Sequence, residues 1–294
     1  MVSSESLLLE NHYSFFVGVT FFLLGAIVGS FINVISLRLP KMMEKKWRSQ
    51  CCELLNIQQP SEDKDLIFNL AFPASHCPQC QHVIRWWENI PVISYVLLKG
   101  QCSNCKKNIS IQYPLVEIVT GILSAIVIWR MGLNIQSGTA LLLTWCLIIL
   151  TAIDTKTQLL PDDITLPLMW FGLILNIFSV FTSLQNAVIG VMVGYLSLWL
   201  IFWAFKLLTQ KEGMGYGDFK LLAALGAWMG WQALPLIVLL SSLVGAVAGI
   251  SLMTFKNRDS QVPLPFGPYL AGAGWIAMLW GSDISTWYLS FYIH

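Results

Sequence analysis

Long apolar stretches separated by short polar breaks dominate the chain. They run roughly over 14–37, 113–130, 136–153, 164–183 and 186–208. Each approaches the about 20 residues a helix needs to cross a hydrocarbon core roughly 30 Å thick. The stretch 219–255 has no proline before Pro235 and reads as two spans that turn near Gly230–Ala233, the first of them short. A last span runs from near Phe266 to about 285. The pattern predicts an all-α polytopic membrane protein with about eight transmembrane helices. The apolar run from Tyr13 to Leu37 is too long for a cleavable signal, and residues 1–12 carry no Lys or Arg. One polar insertion interrupts the series between the first and second spans. The predicted organisation is therefore 1–38 (N-terminus and first span), 39–112 (a small cytoplasmic domain) and 113–294 (a membrane-embedded domain of about seven helices).

Composition agrees with the pattern. Of 294 residues, 56% are apolar and 11% charged, with a mean hydropathy of +0.66; soluble domains carry about 25% charged residues. Such a chain cannot cover a water-soluble surface. The net charge of +1 gives no basis for nucleic-acid binding. Ten of the 17 Lys+Arg fall between Arg38 and Lys107. With that segment in the cytoplasm, counting spans leaves only Arg130 outside, so the positive-inside rule favours both termini on the outer face.

The polar insertion holds six of the seven cysteines, including Cys77-Pro-Gln-Cys80 and Cys102-Ser-Asn-Cys105. Two CxxC knuckles at this spacing point to a tetrahedral Cys₄ zinc site. The alternative is a pair of disulfides, which persist poorly in the reducing cytoplasm. His76 and His82 flank the first knuckle, where four thiolates leave them no coordinating role. Cys51 and Cys52 have no partner motif, and Cys146 reads as a small apolar residue within a span.

Carboxylates in or beside a bilayer need a reason. Glu117 enters the second span. Asp154 ends the third, Asp162 and Asp163 open the fourth after Pro161, and Asp218 follows Gly213, Gly215 and Gly217 where the sixth begins. The last four lie at the cytoplasmic membrane face on the derived topology. Asp162 or Asp163 reads as a helix N-cap. Asp154 opposes the dipole of the helix it ends, and the glycines before Asp218 let the backbone bend closely around a ligand. Two such aspartates suggest an acid/base pair, although spacing alone does not bring them together.

In these motifs the chain resembles the type IV prepilin peptidases, a family of GxGD-type aspartic proteases. The resemblance rests on Gly29-Ser-Phe-Ile-Asn-Val34, Arg38-Leu-Pro40, the two CxxC knuckles, Asn89-Ile-Pro-Val-Ile-Ser-Tyr95 and Tyr113-Pro-Leu-Val-Glu117. It continues through Ile153-Asp154, Leu160-Pro-Asp162, Gly213-Met-Gly-Tyr-Gly-Asp-Phe-Lys220 and Pro265-Phe-Gly-Pro-Tyr-Leu270. It implies that Asp154 and Asp218 are the catalytic pair, with Gly215, Gly217, Asp162 and Lys220 supporting them. It also implies a bifunctional enzyme of the bacterial inner membrane, with its active site at the cytoplasmic face and both termini periplasmic. Such enzymes cleave the short basic leader of type IV prepilins and type II secretion pseudopilins after Gly. They then N-methylate the new terminus, usually Phe, using S-adenosylmethionine. No residues for the methyl-donor pocket can be named; Trp86, Trp87 and Tyr95 of the polar domain are candidates to meet a sulfonium, or else pack the zinc domain. The stretch 41–72 has no assigned purpose. Two rival classes remain: an ion-coupled transporter using Asp154 and Asp218 as relays, and a non-enzymatic assembly platform docking through its zinc domain.

Overall fold

The computed structural model describes residues 4–57, 68–210, 214–256 and 265–290. Among them the architecture is helical, with no strand beyond two isolated antiparallel bridges. The chain divides into two compact units, Met1–Leu133 and Asn134–His294.

The first unit is built on α1 (Ser4–Leu54) and α3 (Gln112–Met131), with the short α2 (Ile93–Leu97) between them in sequence. α1 and α3 approach closely because small residues face each other. A Cβ on Gly29 would stand 2.7 Å from Glu117 Cα, and one on Gly25 would stand 2.5 Å from Ser124 Oγ. Small residues at such crossings let membrane helices pack backbone to backbone.

α1 departs from the expected end near residue 38. It runs through Pro40 to Leu54. Proline deprives a helix of one hydrogen bond, but Met42, Met43, Glu44, Lys45 and Lys46 that follow are good helix formers. The Arg38 side chain then ties the polar segment to this helix, donating to the carbonyls of Asn69 (3.0 Å), Leu70 (3.3 Å) and Pro73 (2.6 Å). The unit boundary after Leu133 groups α3 with α1 and the cysteine segment, where the sequence pattern placed it with the later helices. Cys51 and Cys52 sit free near the end of α1. The acidic run Glu62–Asp65, Gly213 and the cations Lys211 and Arg258 lie outside the described residues.

The second unit contains α4 (Ile135–Thr157), α5 (Asp162–Ile177), α6 (Leu184–Thr209), α7 (Tyr216–Met229), α8 (Leu234–Lys256) and α9 (Gly267–Ser290). α7 is its centre: Asp218, Phe219 and every residue from Leu221 to Trp228 are buried. Gly190 and Gly194 of α6 admit it, and a Cβ on Gly194 would stand 2.8 Å from the Leu222 carbonyl oxygen. The far end of α7 is fixed by polar bonds. Buried Asn176 donates to the carbonyls of Ala227 (2.8 Å) and Trp228 (3.0 Å) and accepts from the Phe181 and Thr182 amides. Trp228 donates to the Leu168 carbonyl at 2.9 Å. As the glycine pattern predicts, α7 ends at Gly230 (φ +81°) and a short 3₁₀ turn, Trp231–Ala233, leads into α8.

Stretches within α1, α3, α4, α6 and α8 are long and apolar enough to cross a membrane. α5 and α7, with 16 and 14 residues, reach only about 24 and 21 Å at 1.5 Å per residue. These two short helices both start at aspartate-bearing turns.

Candidate active site and metal centre

Asp154 lies in the last turn of α4 and Asp218 in the first turn of α7, only 4% and 6% exposed. The fold brings the two carboxylates within electrostatic reach of each other. Their environments differ. Asp154 Oδ2 accepts the Gly267 backbone N–H at 3.0 Å. Gly267 is the first residue of α9, so the carboxylate that opposes the dipole of its own helix meets the positive end of another. Asp218 stands at a helix N-terminus of its own. Its Oδ1 is buried and has no hydrogen-bond partner among the described residues. A buried orphan carboxylate oxygen is rare and calls for a functional or solvent partner.

The glycines around this pair are steric necessities. A Cβ on Gly267 would stand 2.6 Å from Asp154 Oδ2, and one on Gly217 would stand 2.7 Å from Leu160 Cβ. Leu160 reaches both glycines, since its Cδ2 would also lie 3.2 Å from the Gly267 Cβ. Gly215 is the N-cap of α7, in extended conformation. Gly267 and Leu160 were not singled out from sequence, although both sit in motifs already visible there, Pro265-Phe-Gly-Pro-Tyr and Leu160-Pro-Asp.

The expected capping role of Asp162 and Asp163 is corrected. Pro161 occupies the N-cap of α5 and no side chain caps it. Asp162 instead receives Lys220 Nζ on both carboxylate oxygens at 2.7 Å. This bond links the starts of α5 and α7, two residues past Asp218. Asp163 is exposed in the first turn, where its charge suits the helix dipole. Glu117 belongs to the other unit, where it accepts the Val92 N–H at 2.8 Å.

In the first unit, the two CxxC segments fold into near-identical knuckles. Cys77 N–H bonds to the His82 carbonyl and Cys102 N–H to the Lys107 carbonyl, both at 2.9 Å. Gln81 and Lys106, each four residues after the first cysteine, take the left-handed conformation. The four sulfurs all lie within 4.8 Å of one another, with Cys77–Cys105 at 3.8 Å and Cys80–Cys102 at 3.9 Å. A tetrahedron of Zn–S bonds of about 2.3 Å has edges of about 3.8 Å, so the cluster fits such an ion. The cysteines are free, not paired as disulfides. Backbone amides of Cys80 and Gln79 hold the Cys77 thiol below its ordinary range, and the His82 amide does the same for Cys80; against the lowering Lys107 amide, burial and the three neighbouring sulfurs push Cys105 up to about 11. The histidines are engaged elsewhere: His76 faces the Ala74 carbonyl and His82 faces Glu88. Of the aromatic candidates, Trp86 and Trp87 meet edge to face at 5.4 Å, Arg85 lies over Trp87 at 5.2 Å, and Tyr95 packs beneath Gly100.

Comparison with known proteins places these features in a lineage. Residues 23–131 match the bacterial peptidase A24 N-terminal domain, and residues 141–250 match the type IV leader peptidase family. The prepilin leader peptidase/N-methyltransferase of Pseudomonas aeruginosa is 56% identical over 92% of each chain. Its counterpart in Aeromonas salmonicida is 53% identical over 92% of each. The Legionella pneumophila protein is 44% identical over 96% of this chain and 98% of its own. No solved structure matches. Family models and full-length relatives agree with the motifs, and the chain belongs to the type IV leader peptidase family.

Proposed function

We propose that this protein is a bifunctional membrane enzyme that cleaves the leader of type IV prepilins and pseudopilins after Gly and then N-methylates the new terminus. The observation that carries the reading is the buried pair Asp154 and Asp218, one oxygen of which has no partner among the described residues. Two carboxyl groups at one site divide the work of peptide hydrolysis. One accepts a proton from the attacking water as its oxygen bonds to the scissile carbonyl carbon. The other gives a proton to the carbonyl oxygen; as the tetrahedral intermediate collapses and its C–N bond breaks, the first carboxyl passes its proton to the leaving amine and the second takes one back from a hydroxyl, which restores the pair. Gly267 holds Asp154 in place, and the Lys220–Asp162 bond positions the start of α7.

The same reading puts zinc in the Cys77, Cys80, Cys102, Cys105 cluster as a structural ion, since four thiolates leave no open coordination position. S-adenosylmethionine supplies an electrophilic methyl group for the freed amine. On this reading the chain resides in the bacterial inner membrane with eight spans, a count the apolar pattern supports, and the cation distribution supports both termini in the periplasm. The test is incubation of purified full-length protein in detergent with a prepilin and S-adenosylmethionine. Mass spectrometry is expected to find the leader released after Gly and a methyl group on the new N-terminus. An intact substrate would overturn the reading.

A further inference from the structure

The polar domain contains an apolar helical face that its cytoplasmic assignment does not explain. In α2, Ile93, Val96 and Leu97 share one side at i, i+3, i+4 spacing and are exposed, Val96 at 67% and Leu97 at 76%. Ser94, Tyr95 and Leu98 on the other side are half-buried. Such a face in water would be costly.

Its depth is fixed by two bonds within the first unit. α3 has 20 residues from Gln112 to Met131, with Arg130 in its last turn. At 1.5 Å per residue this is about 30 Å, just the thickness of a hydrocarbon core, so the membrane boundary lies close to Gln112. Glu117 is about 7.5 Å further along that helix. Its Oε2 accepts the N–H of Val92, the residue before α2, at 2.8 Å. From the α1 side, Ser30 Oγ reaches Asn89 Oδ1 at 3.5 Å. Ser30 is two turns, about 12 Å, on the membrane side of Arg38. The segment Asn89–Leu98 is thus anchored below the level where both spans leave the membrane.

The backbone of this segment is built for a place without water. Val92 adopts φ +61°, ψ −47°, closing a γ-turn from the Ile93 N–H to the Pro91 carbonyl. That conformation is strained for a β-branched residue. It is retained while the Val92 N–H points to a carboxylate, and Ser94 and Val96 donate to the Ile90 and Val92 carbonyls. Non-helical backbone at membrane depth must have its polar groups satisfied within the protein. Outside the segment, Lys99, Lys106 and Lys107 are exposed and suit an anionic headgroup layer. Leu115, Val119 and Ile122 continue the exposed apolar surface along α3.

We propose that Asn89–Leu98 is a re-entrant element, pinned by Glu117, whose Ile93–Val96–Leu97 face lies in the lipid of the leaflet on the zinc-domain side. The inference rests on α1 and α3 spanning the membrane and is independent of the catalytic reading.

A photo-reactive amino acid placed singly at positions 94, 96 and 97 of the full-length protein, in vesicles of phosphatidylethanolamine and phosphatidylglycerol, tests it. Lipid adducts identified by mass are expected at 96 and 97, severalfold above position 94. Equal labelling at all three positions, labelling at none, or adducts to a second copy of the chain would overturn the proposal. Glu117→Ala is expected to reduce the lipid adducts at 96 and 97 severalfold while bound zinc and prepilin cleavage persist. Unchanged adducts in that variant would refute the pinning role. Should Glu117→Ala fail to accumulate, the labelling pattern of the otherwise unaltered protein still decides the placement.

Discussion

Gly267→Ala isolates the contact that orients Asp154. A Cβ built on Gly267 stands 2.6 Å from Asp154 Oδ2 and 3.2 Å from its Cγ, so the carboxylate must withdraw by about 0.8 Å to reach ordinary van der Waals distance. Leu160 Cδ2, 3.2 Å from the same added Cβ, leaves the new methyl little room of its own. The Gly267 N–H that holds Oδ2 at 3.0 Å loses its alignment with the same movement. A misplacement near 1 Å in a catalytic group costs on the order of 100-fold in rate, equivalent to about 2.7 kcal/mol of transition-state stabilisation. The change should fall on kcat, with KM for prepilin little altered, because in the proposed mechanism the displaced group acts on the reacting bond. Gly272→Ala in the same helix is the matched control, since a Cβ there meets nothing within 4 Å. Initial rates of leader release by both purified variants, compared at equal thermal stability, give the answer. Wild-type kcat in Gly267→Ala, or an equal loss in Gly272→Ala, would refute the orienting role.

Other residues give separate outcomes. Lys220→Met should reduce cleavage less than any change at the aspartates, and Asp162→Asn should keep substantial activity, because their bond is partly exposed and acts only on helix position; initial rates for each variant check this. Asn176→Ala should lower the melting temperature in detergent without altering the dyad, as it removes the donor to two buried carbonyls and the acceptor of two part-buried amides, at about 1–3 kcal/mol for each buried group left unsatisfied. Metal analysis of protein prepared under reducing conditions should find about one zinc per chain, and Cys77→Ser should lose it. If the zinc domain serves methyl transfer, that variant should lower N-methylation more than leader cleavage; full methylation with normal cleavage would remove that division of labour.

What the sequence reveals here is local chemistry, and what it conceals is long-range contact. The CxxC knuckles are legible because each is a self-contained turn whose sulfurs are placed by neighbouring backbone. The turn at Gly230 and the apolar stretches within α1, α3, α4, α6 and α8 are legible for the same reason. The Asp154–Gly267 bond joins residues 113 positions apart, and the Lys220–Asp162 bond joins residues 58 apart, so neither leaves a periodicity to read. Asp162 illustrates the difference: local rules favoured a helix cap, yet Pro161 took that position and a distant lysine took the carboxylate. At Pro40 two local rules compete, and the helix formers after it prevail over the proline. The steric role of Gly267 depends on where a carboxylate from another helix arrives, which no pattern around residue 267 encodes.

In the proposed mechanism Asp154 and Asp218 perform the hydrolysis together. The most direct measurement is leader release from a prepilin by full-length Asp154→Asn, Asp218→Asn and Asp162→Asn proteins, each shown to be folded by its melting temperature and zinc content. No detectable cleavage is expected from the first two and substantial cleavage from the third. Cleavage by a folded Asp154→Asn or Asp218→Asn protein would contradict that mechanism, and loss of cleavage confined to Asp162→Asn would move the catalytic role to that residue.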